Sequence, residues 1–315
     1  MNEHFRSIIL QSTGASSVLK EELIQELWSG YGQIIRLRLE NAAFKSVIVK
    51  HVQLPINSHH PRGWDTDIGH QRKRKSYKVE AKWYQNYSQR SAARLPKCLA
   101  LDFTGDEVLL VLEDLDLAGF PLRKQSVSWV EIKACIQWLA QFHASFLGQI
   151  PEGLWNVGTY WHLETRPQEL AVLKDQKLKE AAAFIDEKLN STKYKTLVHG
   201  DAKLANFCFS KEGKVAGLDF QYVGGGCGMK DLVYFVGSCL NENECERLET
   251  QILDCYFEYL QSELEEKEEA LEAEWRSLYR VAWADFHRFL KGWSPGHWKL
   301  HSYSERITAE VVKSV

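Results

Sequence analysis

The stretch from residue 197 to residue 220 constrains this chain more than any other. It reads Leu-Val-His-Gly-Asp-Ala-Lys-Leu-Ala-Asn-Phe-Cys-Phe-Ser, then a polar turn, then Val-Ala-Gly-Leu-Asp-Phe. The apolar pair Leu197 and Val198 runs into His199-Gly200-Asp201, and a second strand-like run, Val215 to Leu218, ends on Asp219. Turn residues from Ser210 to Lys214 separate the two. Singly, an Asp or Asn in a loop caps or turns the chain. As an ordered set, Asp201, Asn206 and Asp219 offer two carboxylates and an amide oxygen, the hard donors that magnesium prefers while it keeps waters and phosphate oxygens in its other positions.

The spacing has a mechanical reason in phosphoryl transfer, where a protein must position a hydroxyl and hold a metal against the triphosphate. Asp201 with Asn206 five residues later matches the pattern H-x-D-x-x-x-x-N, and Asp219 stands at the D-F-G aspartate. At these residues the chain resembles the kinase-like phosphotransferases of small molecules: aminoglycoside phosphotransferases, choline kinases and the ecdysteroid-kinase-like branch. The His-Gly-Asp opening and the triplet Asp219-Phe220-Gln221, where protein kinases carry glycine third, are similar to that group.

The resemblance implies an α+β, protein-kinase-like two-lobed fold. A small antiparallel β lobe over residues 1–115 would bind nucleotide, and a larger, mostly helical lobe over residues 116–315 would hold the catalytic and substrate-binding groups. It implies ATP and Mg2+ as cofactors and the hydroxyl of a small molecule as acceptor. Asp201 would be the catalytic base, Asn206 and Asp219 the metal ligands, and Lys203 would stand on the transferring phosphate. The rival reading is a pseudokinase-like protein that binds nucleotide or ligand without phosphoryl transfer. The intact acidic set counts against it; a weak glycine turn counts for it.

Upstream, the turn Ser29-Gly30-Tyr31-Gly32 precedes a hairpin of strands at Gln33–Leu39 and Lys45–Val52. Lys50 closes the run Val47-Ile48-Val49-Lys50, similar to the V-A-I-K strand whose lysine meets nucleotide phosphates. A lone strand lysine is otherwise a solvated one. Gly30 and Gly32 would let backbone amides approach those phosphates. Glu80, early in a helical pattern from Ser76 through Val79, Trp83 and Tyr87, would pair with Lys50; the bland alternative is an exposed glutamate favoured by the helix dipole. Strands at Pro96–Leu101 and Val108–Leu112 complete the sheet, and main-chain groups from Glu113 to Leu115 would meet adenine.

Elsewhere, apolar residues from Ser17 to Trp28 fall at helical spacings and predict a helix. Residues 55–76, with Pro61-Arg62-Gly63 and the basic run Arg72 to Lys75, read as a solvated loop. Helices are expected after Ser128, over Pro167–Leu189, over Leu232–Leu240 and from Glu242 to Leu290. His143 reads as a core histidine, Asp231 as a helix cap in a region that, by the resemblance, also stabilises the catalytic loop, and Gly224 to Gly228 as a flexible exit. The absence of a long activation segment and of Ala-Pro-Glu argues for a small substrate. Most of the aromatic residues from Trp275 to Trp298 should be core, and some could face a cleft.

Composition adds exclusions. With 39 basic and 42 acidic residues the net charge is −3, so no global field favours nucleic acid. Seven scattered cysteines fit reduced thiols in a cytoplasmic protein better than a disulfide framework. No apolar run has membrane-spanning length and the N-terminus lacks signal-peptide character. Oligomeric state is not legible.

Overall fold

The computed structural model describes residues 3–27, 30–53 and 67–315, which divide into two compact units. One takes the described residues up to Arg90 with Leu95–Leu122 and Cys208–Leu218; the other takes Ser91–Arg94, Arg123–Phe207 and Asp219–Val315. The first is built on an antiparallel five-stranded sheet and the second is mostly helical, the α+β, kinase-like arrangement expected.

The sheet unit opens with α1 (Glu3–Thr13), then β1 (Ser17–Glu26), β2 (Gly32–Glu40), β3 (Ser46–Gln53), α2 (Asp67–Asn86), β4 (Cys98–Thr104) and β5 (Glu107–Glu113). The strand order is β1-β2-β3-β5-β4. Strand side chains alternate between faces, and β3 uses both. Val47 and Val49 pack with Leu109, Val111 and the α1 residues Phe5 and Ile9. Val52 packs with Val108 and the α2 residues Tyr77 and Ala81. Lys50 shares the parity of Val52, so it faces α2; its register partners are Ile34 and Leu110.

Residues 17–26 form a strand, not the expected helix. β1 lies at the sheet edge and pairs with β2 through irregularities between Val18 and Lys20 and between Leu23 and Gln25. Each interrupts the period of two, so the apolar residues fall at intervals that imitate a helix. Leu19, Leu23 and Ile24 are exposed, which removes the burial contrast a strand pattern needs. The basic run Arg72 to Lys75 belongs to α2 and not to a loop. The remainder of that expected loop, including Pro61-Arg62-Gly63, and Ser29 of the glycine turn lie outside the described residues.

The helical unit begins with α3 (Trp129–Ser145), fixed at its start by a reciprocal capping box between Ser128 and Glu131. The helix expected over Pro167–Leu189 is broken into α4 (Pro167–Ala171) and α5 (Gln176–Asn190), the latter capped by Asp175. Next come β6 (Thr196–Val198), the paired strands β7 (Phe207–Phe209) and β8 (Val215–Gly217), which from Cys208 onward belong to the sheet unit, and β9 (Gly224–Gly226). β9 is a buried strand antiparallel to β6 that also bridges to Trp155, so the expected flexible exit is pinned on both sides. Four helices follow: α6 (Met229–Cys239), α7 (Glu242–Glu263), α8 (Glu269–Trp293) and α9 (Ser302–Lys313). Trp275, Tyr279 and Trp283 are core residues of α8. Among the described residues no helix is long and apolar enough to cross a membrane.

Candidate active site

In the sheet unit, the parity of β3 and the placement of α2 bring Lys50 Nζ to 2.6 Å from Glu80 Oε2, with both side chains buried. The amine also lies 5.6 Å from the ring centre of Tyr77. Glu80 is therefore an ion-pair partner rather than an exposed helix-start residue. Gly30 and Gly32 both have positive φ, 73° and 128°. At Gly32 a Cβ would sit 2.0 Å from the carbonyl oxygen of His51, so only glycine lets β2 close against β3 there. After β5, the main chain of Glu113 stays in the sheet region, its N–H donating to the Lys97 carbonyl. The Leu115 carbonyl accepts from Phe120 N–H. Asp114 is buried between Ser46 and Arg36, which tie it down at 2.5 Å and 2.8 Å.

In the helical unit, β6 delivers the loop His199 to Asn206. Gly200 has φ 77°, and a Cβ there would lie 2.2 Å from the Tyr222 carbonyl oxygen. The loop is anchored from beneath by Asp231, whose carboxylate accepts the His199 N–H at 2.5 Å and the Gly200 N–H at 2.9 Å. His143 Nε2 sits 3.1 Å from the same carboxylate while its Nδ1 meets the Tyr256 hydroxyl at 2.7 Å. Asp231, in the first turn of α6 and fully buried, is thus not a cap for its own helix. His143 is a core histidine, but with two partners. Burial pushes the Asp231 carboxyl up, and the bonds from His143 and the loop amides outweigh it, leaving it below the usual carboxylate range.

At the loop's tip, Lys203 Nζ lies 2.8 Å and Asn206 Nδ2 3.1 Å from one oxygen, Asp201 Oδ2. Asn206 Nδ2 also donates to the Asp201 carbonyl at 2.7 Å. Burial raises the affinity of Asp201 for a proton; Lys203 opposes this and the charge of Asp219 adds to it, so the balance is upward. Burial alone would lower the Lys203 amine, but its contact with Asp201 prevails and raises it. Asp219 has φ 71°, a strained conformation for a non-glycine residue and one often found at functional positions. Asp201, Lys203, Asn206 and Asp219 are therefore brought together as a group.

The donor set suits magnesium. The Asn206 amide uses its nitrogen on Asp201, which leaves its oxygen for a cation, and Asp219, close enough to act on the Asp201 charge, is a second hard oxygen donor. Among the described residues no cluster of three His, Cys, Asp or Glu side chains forms a self-sufficient metal cage. A metal here would share its shell with phosphate and water oxygens.

Beside the loop lies a cavity of about 300 Å³, bordered by Lys203 and Leu204 and walled by Tyr160, Tyr234, Phe286, Trp293, Trp298 and Lys299. The Tyr160 and Tyr234 phenols are both pushed up, first by burial and then by the charge of Asp201, so they stay protonated. Of these residues the sequence drew attention to the aromatics between Trp275 and Trp298. Tyr234, His297 and Lys299 were missed because they carry no motif; the clue was the aromatic density after Trp275, part of which faces this cavity.

Fold and site together define a kinase-like phosphotransferase class. The ecdysteroid kinase-like family matches residues 43–147 and 157–269, and the chain belongs to that family. No curated protein matches it. Among solved structures, a protein of Ralstonia eutropha assigned as an aminoglycoside phosphotransferase shares 13% identity at a TM-score of 0.53, covering 99% of this chain and 94% of its own. A thermostable mutant of aminoglycoside phosphotransferase APH(4)-Ia, in complex with ADP and hygromycin B, gives 13% and 0.51, with 98% of each chain covered. A microcompartment-associated aminopropanol kinase gives 13% and 0.50, covering 98% and 92%. At such identities the likeness shows the fold alone.

Proposed function

We propose that the protein is an ATP- and Mg2+-dependent kinase that phosphorylates a hydroxyl of a small molecule. The observation that carries this reading is the convergence of Lys203 and Asn206 on Asp201 Oδ2, on a loop held from beneath by Asp231. Asp201 orients the acceptor hydroxyl and takes its proton as the new O–P bond forms; its raised proton affinity suits that task. Lys203 stabilises charge on the transferring phosphoryl group. Asn206 Oδ1 and Asp219 would hold Mg2+, which when bound would neutralise charge on the phosphates. Lys50, aligned by Glu80, binds the nucleotide phosphates, with the Gly30 and Gly32 backbone over them. Main-chain groups from Glu113 to Leu115 receive adenine. A cytoplasmic location agrees with seven cysteines scattered along the chain.

The test is ADP release and product mass across a panel of hydroxylated metabolites for the wild type, Asp201→Asn and Asp219→Ala. Each variant is expected to lose at least about two orders of magnitude. Turnover by the variants equal to wild type would refute the assignment, and nucleotide binding without product would favour the pseudokinase reading.

A further inference from the structure

The cavity beside the catalytic loop has a composition that discriminates among acceptors. Six of its lining residues are rings, Tyr160, Tyr234, Phe286, Trp293, Trp298 and the imidazole of His297, and no Asp or Glu lines it. Rings of this number favour a flat apolar body, since aromatic side chains prefer offset or edge contacts with other rings. Of the two lysines at the cavity, Lys203 is paired with Asp201 at 2.8 Å, which leaves Lys299 as the other cation. Its Nζ lies 4.8 Å from the Tyr234 ring centre, 5.6 Å from that of Phe286 and 5.5 Å from that of Trp298. Among the described residues no carboxylate lies within ion-pair distance of it.

We infer that the acceptor is a hydroxylated aromatic or fused-ring molecule carrying an oxyanion, received by Lys299 at the side of the cavity that its aromatic walls define. The inference rests on the kinase reading for the fate of the hydroxyl, but not for the binding. A cationic ligand would need acidic walls, and this cavity has none. The ring faces that otherwise hold an ammonium already have the Lys299 amine over them. Burial, and then the nearby Lys203, lower that amine to about 8 against a smaller upward pull from Asp201, and an oxyanion in direct contact would favour its charged form. The polar wall residue Ser238 is already committed, accepting from Leu204 N–H and donating to the Phe235 carbonyl. That leaves Lys299 as the charged recognition group.

A matched series tests this on the whole protein: a naphthalene methanol bearing on its far ring a carboxylate, a carboxamide or an aminomethyl group. Binding is read by tryptophan fluorescence without nucleotide, and turnover by ADP release with product mass. The carboxylate is expected to exceed the carboxamide by roughly tenfold or more in affinity and kcat/KM, with the amine last. Lys299→Met should bring the carboxylate-to-carboxamide ratio to about one, and Lys299→Arg should keep it. If Lys299→Met does not fold, the wild-type ratio and the arginine variant decide. Equal or better use of the amine by the wild type overturns the inference and leaves the kinase reading standing. So does a Lys299→Met variant that weakens all three compounds and ATP alike, which would assign Lys299 to nucleotide. Lys299-dependent carboxylate binding with no product from any of the three supports the cavity assignment while counting against the kinase reading.

Discussion

Replacing Asp231 by alanine tests whether the catalytic loop is held from below. The carboxylate takes two loop N–H groups and faces His143 Nε2, all within 3.1 Å and in a fully buried setting. Hydrogen bonds to a charged group are worth about 1.5–3 kcal/mol each, and a buried donor left without a partner costs about 1–3 kcal/mol. Truncation strands two amides and one imidazole, so a loss of about 3–5 kcal/mol is expected, the scale for breaking a buried charge network. Asp231→Asn keeps the shape and one accepting oxygen, and should cost about 2 kcal/mol. His143→Ala removes one partner and leaves both loop amides bonded, so it should cost less than Asp231→Ala. Amide hydrogen exchange reads the loss where it occurs. Protection at His199 and Gly200 should fall by roughly two to three orders of magnitude in Asp231→Ala. On the kinase reading, ADP release should fall about a hundredfold, since Asp201 no longer sits where the hydroxyl arrives. Wild-type protection at these two amides in Asp231→Ala would refute the anchoring argument, whatever happened to activity.

Glu80→Ala leaves the Lys50 amine buried and without its carboxylate; a fall in stability of about 3 kcal/mol is expected in thermal melts, and on the kinase reading ATP titration shows weaker nucleotide binding. An unchanged melt would remove the ion pair from the account. Gly200→Ala must place a Cβ 2.2 Å from the Tyr222 carbonyl oxygen in a left-handed conformation, so a loss well above the roughly 1 kcal/mol of φ strain alone is expected by thermal shift. His287 is buried in α8 and, chiefly through burial, titrates at about 4 rather than its ordinary 6.5. The folded state therefore binds fewer protons than the unfolded state between those values, and the stability contribution, full above pH 6.5, is lost as pH falls toward 4. At 1.36 kcal/mol per pH unit the loss is at most about 3 kcal/mol. Melts from pH 7 to 4 should fall less steeply for His287→Phe than for the wild type; parallel curves would refute it.

What the sequence disclosed follows from how each feature is encoded. The loop from His199 to Asn206 and Asp219 were legible because the chemistry demands fixed residue types at short, ordered separations. Lys50 and Glu80 were legible as a pair through the resemblance of Val47-Ile48-Val49-Lys50 to the V-A-I-K strand and of the helix from Ser76 to its partner helix. β1 was misread because its two register shifts and its exposed apolar residues erase both marks of a strand. The start of α2 was missed because its first turns are basic and polar, with little apolar periodicity. The partners of Asp231 were invisible for another reason. They lie on α3 and in the loop after β6, 31 to 88 residues away, and no local pattern records such pairings.

The catalytic loop and the cavity differ in how they are held, and that difference bears on how function changes in a fold of this kind. Asp201 stands on a loop whose backbone is pinned by buried groups: Asp231 of α6, in turn met by His143 of α3, which is met by Tyr256 of α7. Moving Asp201 means disturbing three helices at once, and the interior transmits such strain because it is close-packed. The cavity's far wall draws instead on the end of α8 and the segment leading to α9, where Trp298 is 61% exposed and Trp293 36%. Substitutions there remove little buried surface and so little stability. Chemistry set in the core and recognition set on a short, half-exposed segment are thereby separable. On the kinase reading, the same Asp201, Lys203, Asn206 and Asp219 would serve different acceptors as the residues from Trp293 to Lys299 change.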